Sequence, residues 1–170
     1  VTKSHSPFRL NVGFIAHQEV GYKHEFSFEF EQIQISDDLD LCNFEGIATI
    51  GRTPQGLIVQ AKFSAEITQE CVRCLNNFDQ NLSWDFTELY AFNEKSTSES
   101  DLLLPEDQYI DLQPLIREYA LLEIPINPKC KPDCKGLCSV CGEDLNQSDC
   151  GHRETVEDSP FAILKDLLEE

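Results

Sequence analysis

The spacing of the cysteines constrains this chain more than any other feature. Eight occur, at positions 42, 71, 74, 130, 134, 138, 141 and 150. The pattern is Cys71-x2-Cys74, a gap of 55 residues, then Cys130-x3-Cys134-x3-Cys138-x2-Cys141-x8-Cys150-x-His152. A C-x2-C turn aims two thiolates at one point with backbone N–H groups turned toward the sulfurs, and two ligand pairs complete the tetrahedron that zinc requires. Gly142 follows Cys141, and glycine permits the tight backbone turn of such a knuckle. Leaving out Cys42, seven cysteines and His152 supply eight candidate ligands. The preferred partition places Cys71, Cys74, Cys130 and Cys134 on one zinc and Cys138, Cys141, Cys150 and His152 on another. Cys134 with Cys138, Cys141 and Cys150 is the alternative set.

Other uses of cysteine stand beside zinc. A free cysteine behaves as a small buried hydrophobe, which is the expected role of Cys42. The 130–152 cluster has Lys, Asp, Gly and Pro for neighbours and does not read as core. Disulfides belong to oxidising compartments, and no charged segment followed by an apolar one marks the chain for secretion. A redox dithiol at Cys71 and Cys74 would use a tuned thiol pKa. That pair lies in a strand-like region where no helix pattern starts. The expected role of the metal is structural, because too few apolar residues lie between 127 and 155 to form a core without it.

The first 92 residues read mainly as strands. Phe8, Leu10, Val12 and Phe14 alternate with other residues, and Phe26, Phe28 and Phe30 alternate with Glu25, Ser27 and Glu29. Period two with one apolar face marks a half-buried strand. Residues 47–52 and 57–67 face each other across Thr53-Pro54-Gln55-Gly56, a turn with Pro and Gly suitably placed. Beyond Cys74, Phe78, Leu82, Trp84, Phe86, Tyr90 and Phe92 share one parity. Residues 93–101 are small and polar and read as a loop. A helix is expected over 111–123, with Asp111 as N-cap and Pro114 in the first turn. A short helix opens at Ser159-Pro160, with Phe161, Leu164 and Leu168 on one face, suited to core packing or to docking a partner.

The expected fold is therefore α+β: mostly antiparallel sheet or open barrel with one central helix, a Cys-rich zinc module and a short C-terminal helix. A strand-rich body spans 1–125 and the zinc module with its helix spans 126–170. The two form one folding unit if Cys71 and Cys74 share a metal with Cys130 and Cys134. No apolar run approaches the ~18 residues of a membrane span, and a cytoplasmic location is expected.

Charge narrows the function classes. Thirteen Lys and Arg stand against 31 Asp and Glu, a formal net charge of −18. A field of that sign repels phosphate backbones at long range, so general nucleic-acid affinity is not expected and a basic protein surface suits it better. Residues 124–141 are the exception, with three basic side chains (Lys129, Lys131, Lys135) and one acidic. Together with Arg73 they are the candidate contacts to RNA or to a partner. No phosphate-cradling glycine loop, H-E-x-x-H or G-x-S-x-G motif is present. Cys-rich ligand sets are mostly closed and structural, so no enzyme and no small-molecule substrate is expected.

Cys71-Val72-Arg73-Cys74-Leu75 forms one half of a longer pattern. The other half runs from Ile124-Pro125-Ile126-Asn127-Pro128-Lys129-Cys130 through Cys134-Lys135-Gly136-Leu137-Cys138-Ser139-Val140-Cys141-Gly142-Glu143-Asp144-Leu145-Asn146. Together they resemble the bacterial and plastid YceD family, whose members are named for accumulation of large-subunit ribosomal RNA. The resemblance covers the chain roughly from Phe8 to Leu168. It implies metal candidacy for Cys71, Cys74, Cys130, Cys134, Cys138, Cys141 and Cys150. Many relatives close the cluster with a further Cys where this chain has His152. The resemblance also implies a role in large-subunit assembly or 23S rRNA maturation, with a ribosomal protein or pre-ribosomal RNA as partner. Alternative readings are an acidic protein-interaction module without RNA contact and a thiol redox or zinc-sensing protein.

Overall fold

The structure, a computed structural model, describes residues 6–93 and 102–152. The expected loop beyond Asn93 and the expected C-terminal helix lie outside the described residues. The chain divides into two compact units, Val1–Gln69 with Asp79–Ile126, and Glu70–Phe78 with Asn127–Glu170. Residues 70–78, which carry the first cysteine pair, group with the cysteine-rich end. The boundary drawn at 125/126 is thus joined by two more, on either side of that pair.

The first unit is built on four long antiparallel strands: β2 (Lys23–Ser36), β3 (Leu39–Arg52), β4 (Gly56–Glu70) and β5 (Asn77–Ala91). They lie in the order β2-β3-β4-β5, an open sheet of sequential hairpins. The expected turn at 53–56 joins β3 to β4. Arg52 pairs with Leu57, and the Thr53 N–H donates to the Gly56 carbonyl at 2.9 Å. Alternation puts Phe28, Phe44, Phe63, Trp84 and Phe86 on one buried face. Their rings meet edge-on or tilted, Phe44 to Phe63 at 5.2 Å and Phe63 to Trp84 at 5.9 Å between centroids. Such pairs contribute ~0.5–1.5 kcal/mol each beyond burial. Gly46 sits between Phe28 and Phe63 in the register. A Cβ there would lie 2.3 Å from the Phe63 ring, so the missing side chain lets the aromatic rings close over the backbone.

A two-stranded ribbon, β1 (Arg9–Asn11) with β6 (Tyr109–Asp111), completes the strands. The alternation expected from Phe8 to Phe14 stops early. The Gly13 N–H donates to Asn11 Oδ1 at 3.0 Å, and the chain turns into the one-turn helix α1 (Gly13–Ala16). Phe14 is consequently 43% exposed.

The expected helix forms as α2 (Gln113–Glu123), and Asp111 belongs to β6 instead of capping from within the helix. Asp111 still accepts the Gln113 N–H through Oδ1 at 3.0 Å. This helix is not a central element, as its contacts with both edge strands show. Gln113 Nε2 donates to the Ile35 carbonyl on β2 at 2.5 Å. Tyr119 stacks on Phe86 of β5 at 4.8 Å, and its hydroxyl donates to Glu88 at 2.7 Å. Leu115, Ile116 and Ala120 are buried beneath it. The helix thereby covers an aromatic face that an open sheet would leave wet. Among the described residues no helix is long and apolar enough to cross a membrane.

Candidate metal centres

Among its described residues the second unit has scarcely any apolar core. Its buried cluster is Cys71, Cys74 and Cys134, with Phe78 and Cys130 packed against it. Two knuckles organise it, and they share one backbone pattern. At Cys71 the N–H donates to the Asn76 carbonyl at 3.0 Å, and the Leu75 N–H returns to the Cys71 carbonyl at 2.9 Å. At Cys138 the N–H donates to the Glu143 carbonyl at 2.8 Å, and the Gly142 N–H returns to the Cys138 carbonyl at 2.9 Å. Both turns need a positive φ one residue past the second cysteine. Gly142 supplies 76° without strain, whereas Leu75 adopts 59°, a conformation that costs a side-chain-bearing residue ~1–2 kcal/mol.

The ligand atoms converge in two groups. Cys71, Cys74, Cys130 and Cys134 form one, and Cys138, Cys141, Cys150 and His152 the other, with all four ligand atoms of each group within 4.8 Å of one another. In the first group Cys71 Sγ lies 3.8 Å from Cys134 Sγ, and Cys74 Sγ lies 3.7 Å from Cys130 Sγ. A tetrahedral zinc with ~2.3 Å bonds to sulfur spaces its ligands ~3.8 Å apart. A disulfide would need ~2.05 Å, and all eight cysteines are free. Cys134 stands with Cys71, so the alternative set with Cys138, Cys141 and Cys150 does not assemble. Cys42 is half-buried on β3, outside both groups.

The electrostatics fit a divalent cation. The Cys71 thiol is held down to about 6, first by the backbone N–H of Cys130. Cys130 is pushed up to about 12 by burial and then by the thiols of Cys74 and Cys134. Cys71 thus takes a negative charge readily, while Cys74 and Cys130 resist ionising beside it, as coupled sites do. A bound Zn²⁺ would relieve that repulsion. In the second group the backbone N–H groups of Cys141 and Val140 hold Cys138 down to about 6.

Several residues outside the ligand pattern hold the ligands in place. Asn146 donates its amide to Cys134 Sγ at 3.4 Å and accepts the Lys135 N–H at 2.9 Å. Asp144 orients Asn146 through both the backbone N–H and the amide, and these bonds hold its carboxyl below the usual range. Asn76 donates to Asp144 at 3.1 Å, which ties the first knuckle to the loop after the second. Such outer partners fix the direction of a ligand as much as the ligand's own turn does. The sequence signal for Asp144 and Asn146 is their place in the family-like run that continues past the second knuckle.

Arg73 is exposed along its side chain, yet its Nη1 donates to the Cys134 carbonyl at 2.7 Å. It therefore braces the first site. Lys129, Lys131 and Lys135 are exposed. The Arg73 carbonyl accepts the Leu137 N–H at 3.0 Å, and this close approach needs Gly136, at φ +77°, where a Cβ would lie 2.9 Å from that oxygen. Gly136→Ala is expected to lower the unfolding free energy of the metal-bound second unit by ~1–2 kcal/mol. Hydrogen exchange at the Leu137 amide checks it: faster exchange is expected, and unchanged exchange would remove the steric argument.

The fold and sites define a class: a strand-rich α+β unit joined to a compact unit that can hold two four-ligand, sulfur-rich metal centres. The chain belongs to the YceD family, since the family profile described as Large ribosomal RNA subunit accumulation protein YceD matches residues 59–168. An uncharacterised protein of Mycobacterium tuberculosis is 35% identical over 118 residues, 67% of this chain and 56% of its own length. One from Mycobacterium leprae is 32% identical over 118 residues, 67% of this chain and 54% of its own. The chain thus spans about half the length of these relatives. A chloroplastic protein of Arabidopsis thaliana, named Large ribosomal RNA subunit accumulation protein YCED homolog 1, is 40% identical over 68 residues, 39% of this chain and 21% of its own. No solved structure matches the chain.

Proposed function

We propose that this chain is a non-enzymatic, zinc-stabilised cytoplasmic factor that supports accumulation of large-subunit ribosomal RNA during assembly of that subunit. The observation that carries the reading is the family match over residues 59–168, a span that contains all eight candidate ligands. Two complete four-ligand sets supply no open coordination position, which favours a scaffold over a catalyst. Zinc would hold the knuckles so that Lys129, Lys131 and Lys135 are presented to RNA at short range, where salt screens the acidic remainder within ~8 Å.

Removal of the gene from its own cell tests this. The ratio of 23S to 16S rRNA is expected to fall, and the wild-type chain should restore it while a Cys71→Ser, Cys138→Ser double variant does not. An unchanged ratio on removal would overturn the reading. The net charge of −18 favours a second reading, a protein-interaction module without RNA contact. Under that reading, replacing the three lysines leaves the salt dependence of ribosomal-particle binding unaltered, whereas RNA contact makes the slope shallower.

A further inference from the structure

The outer face of the β2–β5 sheet, opposite the aromatic core, carries an unfavourable arrangement of charge. Glu29 on β2 lies directly across from Glu45 on β3, and both are exposed. Like charges directly opposite destabilise an antiparallel pair. Ser64, across from Glu45 on β4, donates its hydroxyl to Glu45 Oε1 at 3.2 Å.

The two carboxylates stand in a groove of about 490 Å³ that crosses from β2 to β5 and is also lined by Ser27, Ile47, Lys62 and Ser83. A neighbouring hollow of about 370 Å³ shares Glu45, Ser64 and Ser83 and adds Glu66 and Asn81. The depression therefore continues along β3, β4 and β5. Ile47 is 49% exposed within it. Lys62 is the one basic residue among the described residues lining it. Small serines beside large glutamates make a trough with an apolar patch and acidic walls.

The geometry points to this trough as the docking surface for an extended, lysine- or arginine-rich protein segment. A basic side chain laid along it rests its methylene stem on Ile47 and places its charged head between Glu29 and Glu45. Charge complementarity selects the partner: the carboxylate walls attract cations and repel the phosphates of RNA. Docking also relieves the repulsion that the free sheet carries. The inference deepens the proposed function by naming the chemistry of one partner.

Fluorescence anisotropy on the full, metal-loaded chain tests it, with a labelled dodecapeptide of alternating lysine and threonine at physiological salt. Saturable binding is expected. The Glu29→Gln, Glu45→Gln variant should bind at least ~10-fold more weakly, through loss of the close charge contacts. Its melting temperature should equal or exceed that of the wild type, because a like-charge pair has gone. Ile47→Thr should weaken binding ~3-fold by removing the apolar support. The control Glu19→Gln, Glu106→Gln has the same net charge with both changes at exposed positions outside the trough, and it should change affinity less than ~2-fold.

Equal weakening by both pairs would reduce the effect to bulk charge and overturn the docking surface. So would absence of peptide binding, or binding of a single-stranded RNA dodecamer with the same dependence on Glu29 and Glu45. Failure here with intact rRNA dependence on the gene sinks only the docking surface. Peptide binding with no rRNA dependence sinks the proposed function and leaves the surface standing.

Discussion

Replacing Cys71 by serine is expected to remove one zinc of two from each chain and to unfold much of the second unit. Cys71 is fully buried, and its sulfur lies 3.8 Å from that of Cys134. Among the described residues the cluster around it contains one apolar side chain, Phe78, besides cysteines. A metal held there would take the place that a hydrophobic core fills elsewhere. Structural zinc contributes apparent free energies of ~10–16 kcal/mol in small domains, far more than one aromatic ring supplies. Without it the bonds from Val72 to Pro128 and from Leu137 to Arg73 lose the anchor that holds their segments together. Native mass spectrometry should show the loss of one zinc, and hydrogen exchange should accelerate across 71–76 and 134–138. The single tryptophan, Trp84, sits in the ring cluster of the first unit, so its fluorescence reports on that core independently. Two zincs retained would show that Cys71 is not a ligand. One zinc in both proteins would confine the metal to the 138–152 group.

What the sequence made legible was local. The β3–β4 turn at 53–56 and the aromatic parity from Phe26 to Phe92 follow from spacing over a few residues, and the structure keeps them. The knuckles follow from C-x2-C in the same way. Errors arose where a local bond overrode the pattern. Asn11 turned the chain before Phe14, and β6 claimed Asp111 through its pairing with Arg9. Other features are invisible without tertiary contact. The placing of α2 depends on contacts with β2 and β5, and only the register sets Glu29 against Glu45. The grip of Asn146 on Cys134 links residues twelve apart through a side-chain amide; the family-like run that ends at Asn146 marks the residue but not the contact.

The two centres should also part with their metal at different rates, the second first. In the first group Cys71, Cys74 and Cys134 are buried and Cys130 is half-buried. The Asn146 amide on Cys134 Sγ and the Arg73 guanidinium on the Cys134 carbonyl add further cover. In the second group only Cys138 is buried, while Cys141 and His152 are exposed. A chelator must reach the metal or wait for a ligand to swing away, and exposed ligands swing at lower cost because fewer contacts are broken. A colorimetric zinc chelator in excess is expected to draw off one equivalent at least ~10-fold faster than the second, since exchange by local opening spans a wide range of free energies. Timed alkylation with mass-spectrometric mapping assigns the order. Cys141 and Cys150 should be modified while Cys71, Cys74 and Cys134 are still protected, and Cys42 serves as the non-ligand reference. Simultaneous release would mean that the centres open in one cooperative step. The reverse order, with Cys71 and Cys74 modified first, would make that pair an accessible dithiol and favour thiol redox chemistry over a structural metal there.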